Sequence, residues 1–336
     1  MAGFTRFRSH QLGKQTVIGT AVTATRRVPW RGNIVVNPTR TNPDADTGSR
    51  DPVIAPYNGP LSVTATLTGP LTYNDLPYRW AAAVKSNVSP TGGGTAKTWT
   101  FQAASLTVEG IQYFTDEWGD DTNATDGIRA FGGVVDSFEE SMPQDLSPWT
   151  FSDQWVYAGA TLQTAQTGSL SVDNSPIFVY GADTEVKMDT TAANIGTTKL
   201  SNALHQAVFR ITNNLDQKRF ANGSNTRFQL HDYGYGERVV ELVLTFAKTP
   251  EVMNEAATLD DDPVPNRYFE VLTTSPSLAQ ASTPYQYRRR VPARLFSRED
   301  GEIGGNATIT LTYRAFYDST LTYALYGQIV NTLSAL

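Results

Sequence analysis

A period of two runs through this chain and constrains its fold more than any other feature. Leu61 to Thr68 (LSVTATLT), Lys97 to Gln102 (KTWTFQ) and Ala307 to Phe316 (ATITLTYRAF) alternate apolar and polar residues. Successive side chains of an extended strand point to opposite faces, so such runs are strands with one buried face. The same grammar predicts strands over Val134–Glu139, Trp149–Tyr157, Glu185–Asp189, Ala207–Thr212, Arg238–Phe246, Tyr268–Leu272 and Tyr285–Leu295. Shorter β-type runs are Val17–Ala24, Gly32–Asn37, Ile111–Thr115 and Phe228–His231. Helices are predicted only over Leu76–Val84, where Asp75 can cap and Pro77 suits a first turn, and over Pro250–Leu259. The expected class is mainly β, a barrel or sandwich with a short flanking helix.

Punctuation sets the organisation. Residues 1–14 read as an N-terminal arm, and residues 15–165 as a first β domain. A Pro-, Asp- and Asn-rich stretch from Pro38 to Pro60 cannot be a central strand and reads as a long functional loop. Gly159–Pro176 is small and polar and suits a boundary. Residues 177–336 then form a second β domain, whose strand pattern matches the first without matching its identity. An internal duplication is the expectation.

Composition excludes several kinds of chemistry. The chain has no cysteine, hence no disulfide and no thiolate. No apolar run approaches the roughly 18 residues of a spanning helix, and the basic start MAGFTRFRSH lacks the apolar core of a signal peptide. A formal net charge of −6 argues against a protein built to grip nucleic acid. His10, His205 and His231 stand at no metal-ligand spacing. Gly94–Thr98 fails as a phosphate loop because Ala96 stands where glycine is needed and a strand pattern follows. Asp121–Thr125 fails as the start of a calcium loop, having Asp126 at the glycine position and Gly132 at the glutamate position. No G-x-S-x-G elbow is present. Glu139 and Glu140, as strand neighbours, point to opposite faces and do not converge as an acid–base pair. By the same rule Arg288 and Arg290 share a face and Arg289 points away, so acids of a neighbouring subunit explain the run as well as a phosphate does. No catalytic, cofactor-binding or metal-binding residue is assigned, and no enzyme activity or cofactor is expected.

Segments along nearly the whole length carry a resemblance: FTRFRSHQLGKQT with RRVPWRG, TGPLTYNDLPYRWAAAVKSNVSPTGGGTAKTWTFQ, FGGVVDSFEESMP with WTFSDQWVYAGA, IGTTKLSNALHQAVFRITNNLDQKRF with ERVVELVLTFAKTPE, and ATITLTYRAFYDSTLTYALYGQIVNTL. In that order they resemble the major tail protein, or tail tube protein, of long-tailed non-contractile bacteriophages. The resemblance implies a structural subunit of the virion tail, made in the host cytoplasm and stacked in rings around a channel that conducts DNA. It also implies as partners other copies of the chain, a tape measure protein and tail terminator or tip proteins. Double-stranded DNA would pass without specific binding, and no membrane would be involved.

Under this reading the arm and the long loop make ring-stacking contacts, with Arg6, Phe7, Arg8, Arg27, Trp30, Arg31, Asp44 and Asp46 as candidates. Asp136, Glu139, Asp153 and Glu241 are candidate lumen acids, and Arg288, Arg289 and Arg290 candidate inter-subunit bases. Two tube-like halves per chain favour three chains per ring over six. The alternatives are a head–tail joining or capsid decoration protein, or a carbohydrate-binding β-sandwich using Trp118, Trp149 and Trp155.

Overall fold

The computed structural model describes residues 8–41, 55–103, 110–120, 125–200, 203–220 and 230–336. The first half contributes strands β1 (Arg8–Gln15), β2 (Arg26–Val28), β3 (Ile34–Thr41), β4 (Tyr57–Pro70), β5 (Lys97–Gln102), β6 (Tyr113–Asp120), β7 (Gly127–Met142), β8 (Thr150–Tyr157) and β9 (Gly159–Thr164). The second contributes β10 (Thr184–Asp189), β11 (Leu204–Thr212), β12 (Leu215–Lys218), β13 (Asp232–Tyr235), β14 (Val239–Ala247), β15 (Asn266–Gln280), β16 (Thr283–Ile303), β17 (Asn306–Ala315) and β18 (Tyr326–Asn331). Among the described residues there are two α-helices, α1 (Leu76–Ala83) and α2 (Pro250–Ala257). The mainly β class read from alternation is the class observed.

Sixteen strands join one antiparallel sheet whose main path runs β10-β15-β16-β17-β14-β11-β7-β6-β1-β2. Long strands make this possible by serving two sets of neighbours. The N-terminal part of β7 lies between β6 and β9, and its C-terminal part between β8 and β11. Likewise β16 pairs first with β15 and β18, then with β17. The path ends at β10 and β2, so no closed barrel forms among the described strands.

The two halves do not pack as separate domains. Strand β7 pairs with β11 and β5 with β18, and one apolar core draws on both halves. The expected boundary also begins as a strand, since β9 pairs with β7. The expected short helix is present as α1, and all eight of its residues are buried. Trp80 on α1 meets Phe101, Phe138, Phe209 and Tyr287 from four strands. Gly327 on β18 lies so close that a Cβ there would collide with the Trp80 ring. Asp75 sits at the N-cap of α1 but makes no capping bond; its carboxylate binds Arg26 and Thr72 instead. At α2, by contrast, Thr249 does cap, accepting from the Val252 amide at 3.3 Å.

The N-terminal segment is not a free arm from Arg8 onward. It forms β1, paired with β6 on one side and β2 on the other, with His10 and Leu12 buried. Val17–Ala24 is turn and irregular chain rather than strand, and so are Leu230 and His231. Both ends of the Pro-rich loop are strands. β3 and β4 pair from Ile34–Ala65 out to Thr41–Tyr57, past Pro38 and Pro60. The proximal residues Ile34, Val63 and Ala65 enter the core, whereas Pro38, Arg40, Tyr57 and Asn58 are exposed. The hairpin therefore projects beyond the core that holds its base.

Candidate functional site

Strand alternation places two charge clusters on opposite faces of the same sheet. The inward cluster surrounds Arg79 of α1. The Arg79 guanidinium donates to Asp153 of β8 twice, at 2.7 and 2.8 Å, and to Glu140 of β7 at 2.7 Å. Arg289 of β16 reaches the other Glu140 oxygen at 2.9 Å. The Tyr287 hydroxyl donates to Glu140, and the Trp80 indole donates to that hydroxyl at 2.6 Å. Arg79 also stacks over Phe138 and Phe151, and Arg289 over Trp149 and Tyr287. Burial and the neighbouring Glu140 carboxylate drive the Tyr287 phenol well above its usual range, so it stays a hydrogen-bond donor. Two guanidinium groups thus face two carboxylates with no access to water.

This corrects two expectations. Asp153 is fully buried and cannot line a channel, and Arg289 is buried and cannot serve as an inter-subunit base. Both point inward because their strand neighbours point out.

The outward face carries a cross-strand row. Glu139 of β7 stands beside Arg210 of β11, Arg210 beside Glu241 of β14, Glu241 beside Arg314 of β17, and Arg314 beside Arg294 of β16. Ion pairs link Glu139 to Arg210 at 2.7 Å and Glu241 to Arg314 at 2.9 Å. These two expected lumen acids are therefore solvent-facing but neutralised. Asp136 accepts from the Leu215 amide and ties β7 to the β12–β13 hairpin.

Further along this face, Arg288 and Arg290 converge on Glu270 of β15, as alternation requires. Arg290 approaches the carboxylate at 2.7 Å, Arg288 at 3.3 Å, and Lys187 of β10 at 3.3 Å. Glu270 itself is buried, and the chain around Gly196 covers it. Gly196 has φ +90°, and a Cβ there would lie 2.8 Å from the carboxylate, so glycine is needed on both counts.

The stacking candidates divide. Arg6, Phe7, Asp44 and Asp46 lie outside the described residues. Arg8, Trp30 and Arg31 come together around a cavity of about 210 Å³, with His10, Gly32, Asn33 and Trp118. Arg8 pairs with Asp126 at 3.1 Å and lies over the Trp118 ring. Arg27 sits half-buried on β2. Trp30 is a core residue packed on Phe151 and Trp155, so its ring is not free for a neighbouring ring of subunits. Below the cavity, buried His10 bonds Asp116, which also accepts from Tyr157 at 2.8 Å. Trp149 and Trp155 are fully buried and Trp118 lines the cavity, so the three tryptophans do not form one sugar platform.

No group of three or more histidine, aspartate or glutamate side chains suited to a metal occurs among the described residues. Among the described residues no helix is long and apolar enough to cross a membrane. No protein-family model matches the chain, and no curated protein matches its sequence.

Sequence reasoning missed Arg79, Glu270 and Lys187. Arg79 had one signal, a lone cation inside the apolar helix segment LPYRWAAAV. Glu270 and Lys187 had none, because their roles depend on which strands become neighbours.

Proposed function

We propose that this chain is a structural subunit that assembles with copies of itself into the tail tube of a long-tailed phage. The observation that carries the reading is the β3–β4 hairpin, a two-stranded ribbon that leaves the core and exposes Val35, Pro38, Arg40 and Tyr57. An isolated two-stranded ribbon is at best marginally stable in water, so a projecting one is suited to completion by a neighbour. The sequence resemblance supplies the identity of the assembly. The wide antiparallel sheet, polar on its outer face, suits a wall that DNA slides past. Three copies per ring is kept as the proposed stoichiometry because the second half is not a separate outer body, the arrangement that called for six; the shared sheet does not itself present two tube-like units per chain.

Sedimentation velocity over a range of concentrations tests the reading. The full chain is expected to form large, concentration-dependent species. A variant with the projecting part of the hairpin replaced by a short turn is expected to remain folded and monomeric. Large species formed equally well by the shortened variant would remove the observation on which the reading stands.

A further inference from the structure

We infer that the cationic cluster around Glu270 is a docking site for a carboxylate-bearing segment of a second copy, and that the segment is Asp260–Asp262. Four cations, Lys187, Lys199, Arg288 and Arg290, gather with only two carboxylates, Glu185 and Glu270. The surplus is held rigidly. Arg290 binds Glu270 through both Nε and Nη2, and Arg288 is also fixed by Gln328 at 2.8 Å. Like charges so confined repel one another, and the one buried carboxylate beneath them cannot neutralise all of them. The side chains of Lys187, Arg288 and Arg290 remain 17, 27 and 29 % accessible, so the cluster is not sealed from solvent. The cluster is a preformed cationic patch built around one buried acid, with cationic side chains still part-accessible at its rim.

The chain supplies the complement. Asp260, Asp261 and Asp262 are consecutive, exposed, and form no ion pair with a described residue. A site that joins one patch of a copy to a different patch of the next is heterologous, so it propagates into a ring or filament rather than stopping at a dimer. The inference rests on the assembly reading only in taking the partner to be a second copy.

Zero-length carbodiimide coupling tests it. Isotopically heavy and light protein are mixed, coupled at low salt and digested, and Lys187 is examined for links to residues 260–262. Heavy–light linked peptides are expected, and Asp260→Asn/Asp261→Asn/Asp262→Asn should abolish them while leaving the melting temperature unchanged. Lys187→Glu and Asp261→Lys should each reduce association at least tenfold, and the two combined in one chain should restore most of it. Links confined to single copies, or no links, overturn the inference, whether or not large assemblies form. Absent links together with binding of duplex DNA that Lys187→Glu abolishes would reassign the cluster to phosphate. Heavy–light links without large assemblies would uphold this contact while contradicting the tube.

Discussion

Arg288, Arg289 and Arg290 are consecutive, yet they serve two clusters of opposite character. Arg289 enters the interior, where it and Arg79 face Glu140 and Asp153 in matched numbers. Arg288 and Arg290 turn outward, where with Lys187 they outnumber Glu270. Water accounts for the difference. An uncompensated charge in the interior costs several kcal/mol, so only a balanced cluster survives there. Near the surface, solvent and salt screen the imbalance. The inner cluster is balanced as its burial requires, and the imbalance of the outer one is what the proposed contact with a second copy would draw on.

The comparison breaks most visibly at Arg79. Arg79→Met strands Asp153 and Glu140 without their shared cation and should lower the unfolding free energy by about 3–5 kcal/mol in denaturant titrations. A loss under about 1 kcal/mol would mean that the inner cluster is not an interdependent unit. Glu270→Gln removes the one acid that three cations share. A loss of about 1–2 kcal/mol is expected, larger at low ionic strength, because added salt screens the exposed cations. A loss indifferent to salt would deny the charge imbalance.

Asp189 sharpens the account through pH. Burial acts to raise its carboxyl, but the amides of Thr197 and Thr198 and the Thr197 hydroxyl outweigh that and hold it below the ordinary 3.8. A depressed carboxyl contributes stability that is present above the unfolded-state value and lost as pH falls through the folded-state value. The native protein should therefore lose this contribution below about pH 4, and Asp189→Asn should already lack about 1 kcal/mol at neutral pH and show less acid sensitivity. Acid titrations that superimpose would contradict the assignment. The smallest effect belongs to the outer row. Arg210→Gln breaks an ion pair that is nearly half exposed and should cost less than about 1 kcal/mol by thermal melting.

How much of this was legible in the sequence follows the reach of each interaction. Local alternation located β5 residue for residue and fixed the opposite facing of Glu139 and Glu140 and of Arg289 and its neighbours. The Pro- and Gly-rich punctuation misled where tertiary pairing overrode it. Pro38 and Pro60 sit in a ribbon of their own, and Gly159–Thr164 is recruited as an edge beside β7. The division into two domains failed for a nonlocal reason. Nothing in YGQIVN says that it will lie between β16 and β5. The candidate clusters share that limit, since Arg79, Glu140, Asp153 and Arg289 come from four separate segments.

Electron microscopy of the purified full-length protein tests the central claim most directly. The account predicts hollow tubes built of stacked rings, with end-on views showing three copies of the chain around an open channel. Six whole chains per ring would keep the tube and discard the stoichiometry. Uniform monomers at every concentration and salt condition, with no ring or tube, would contradict the reading of this chain as a tube subunit.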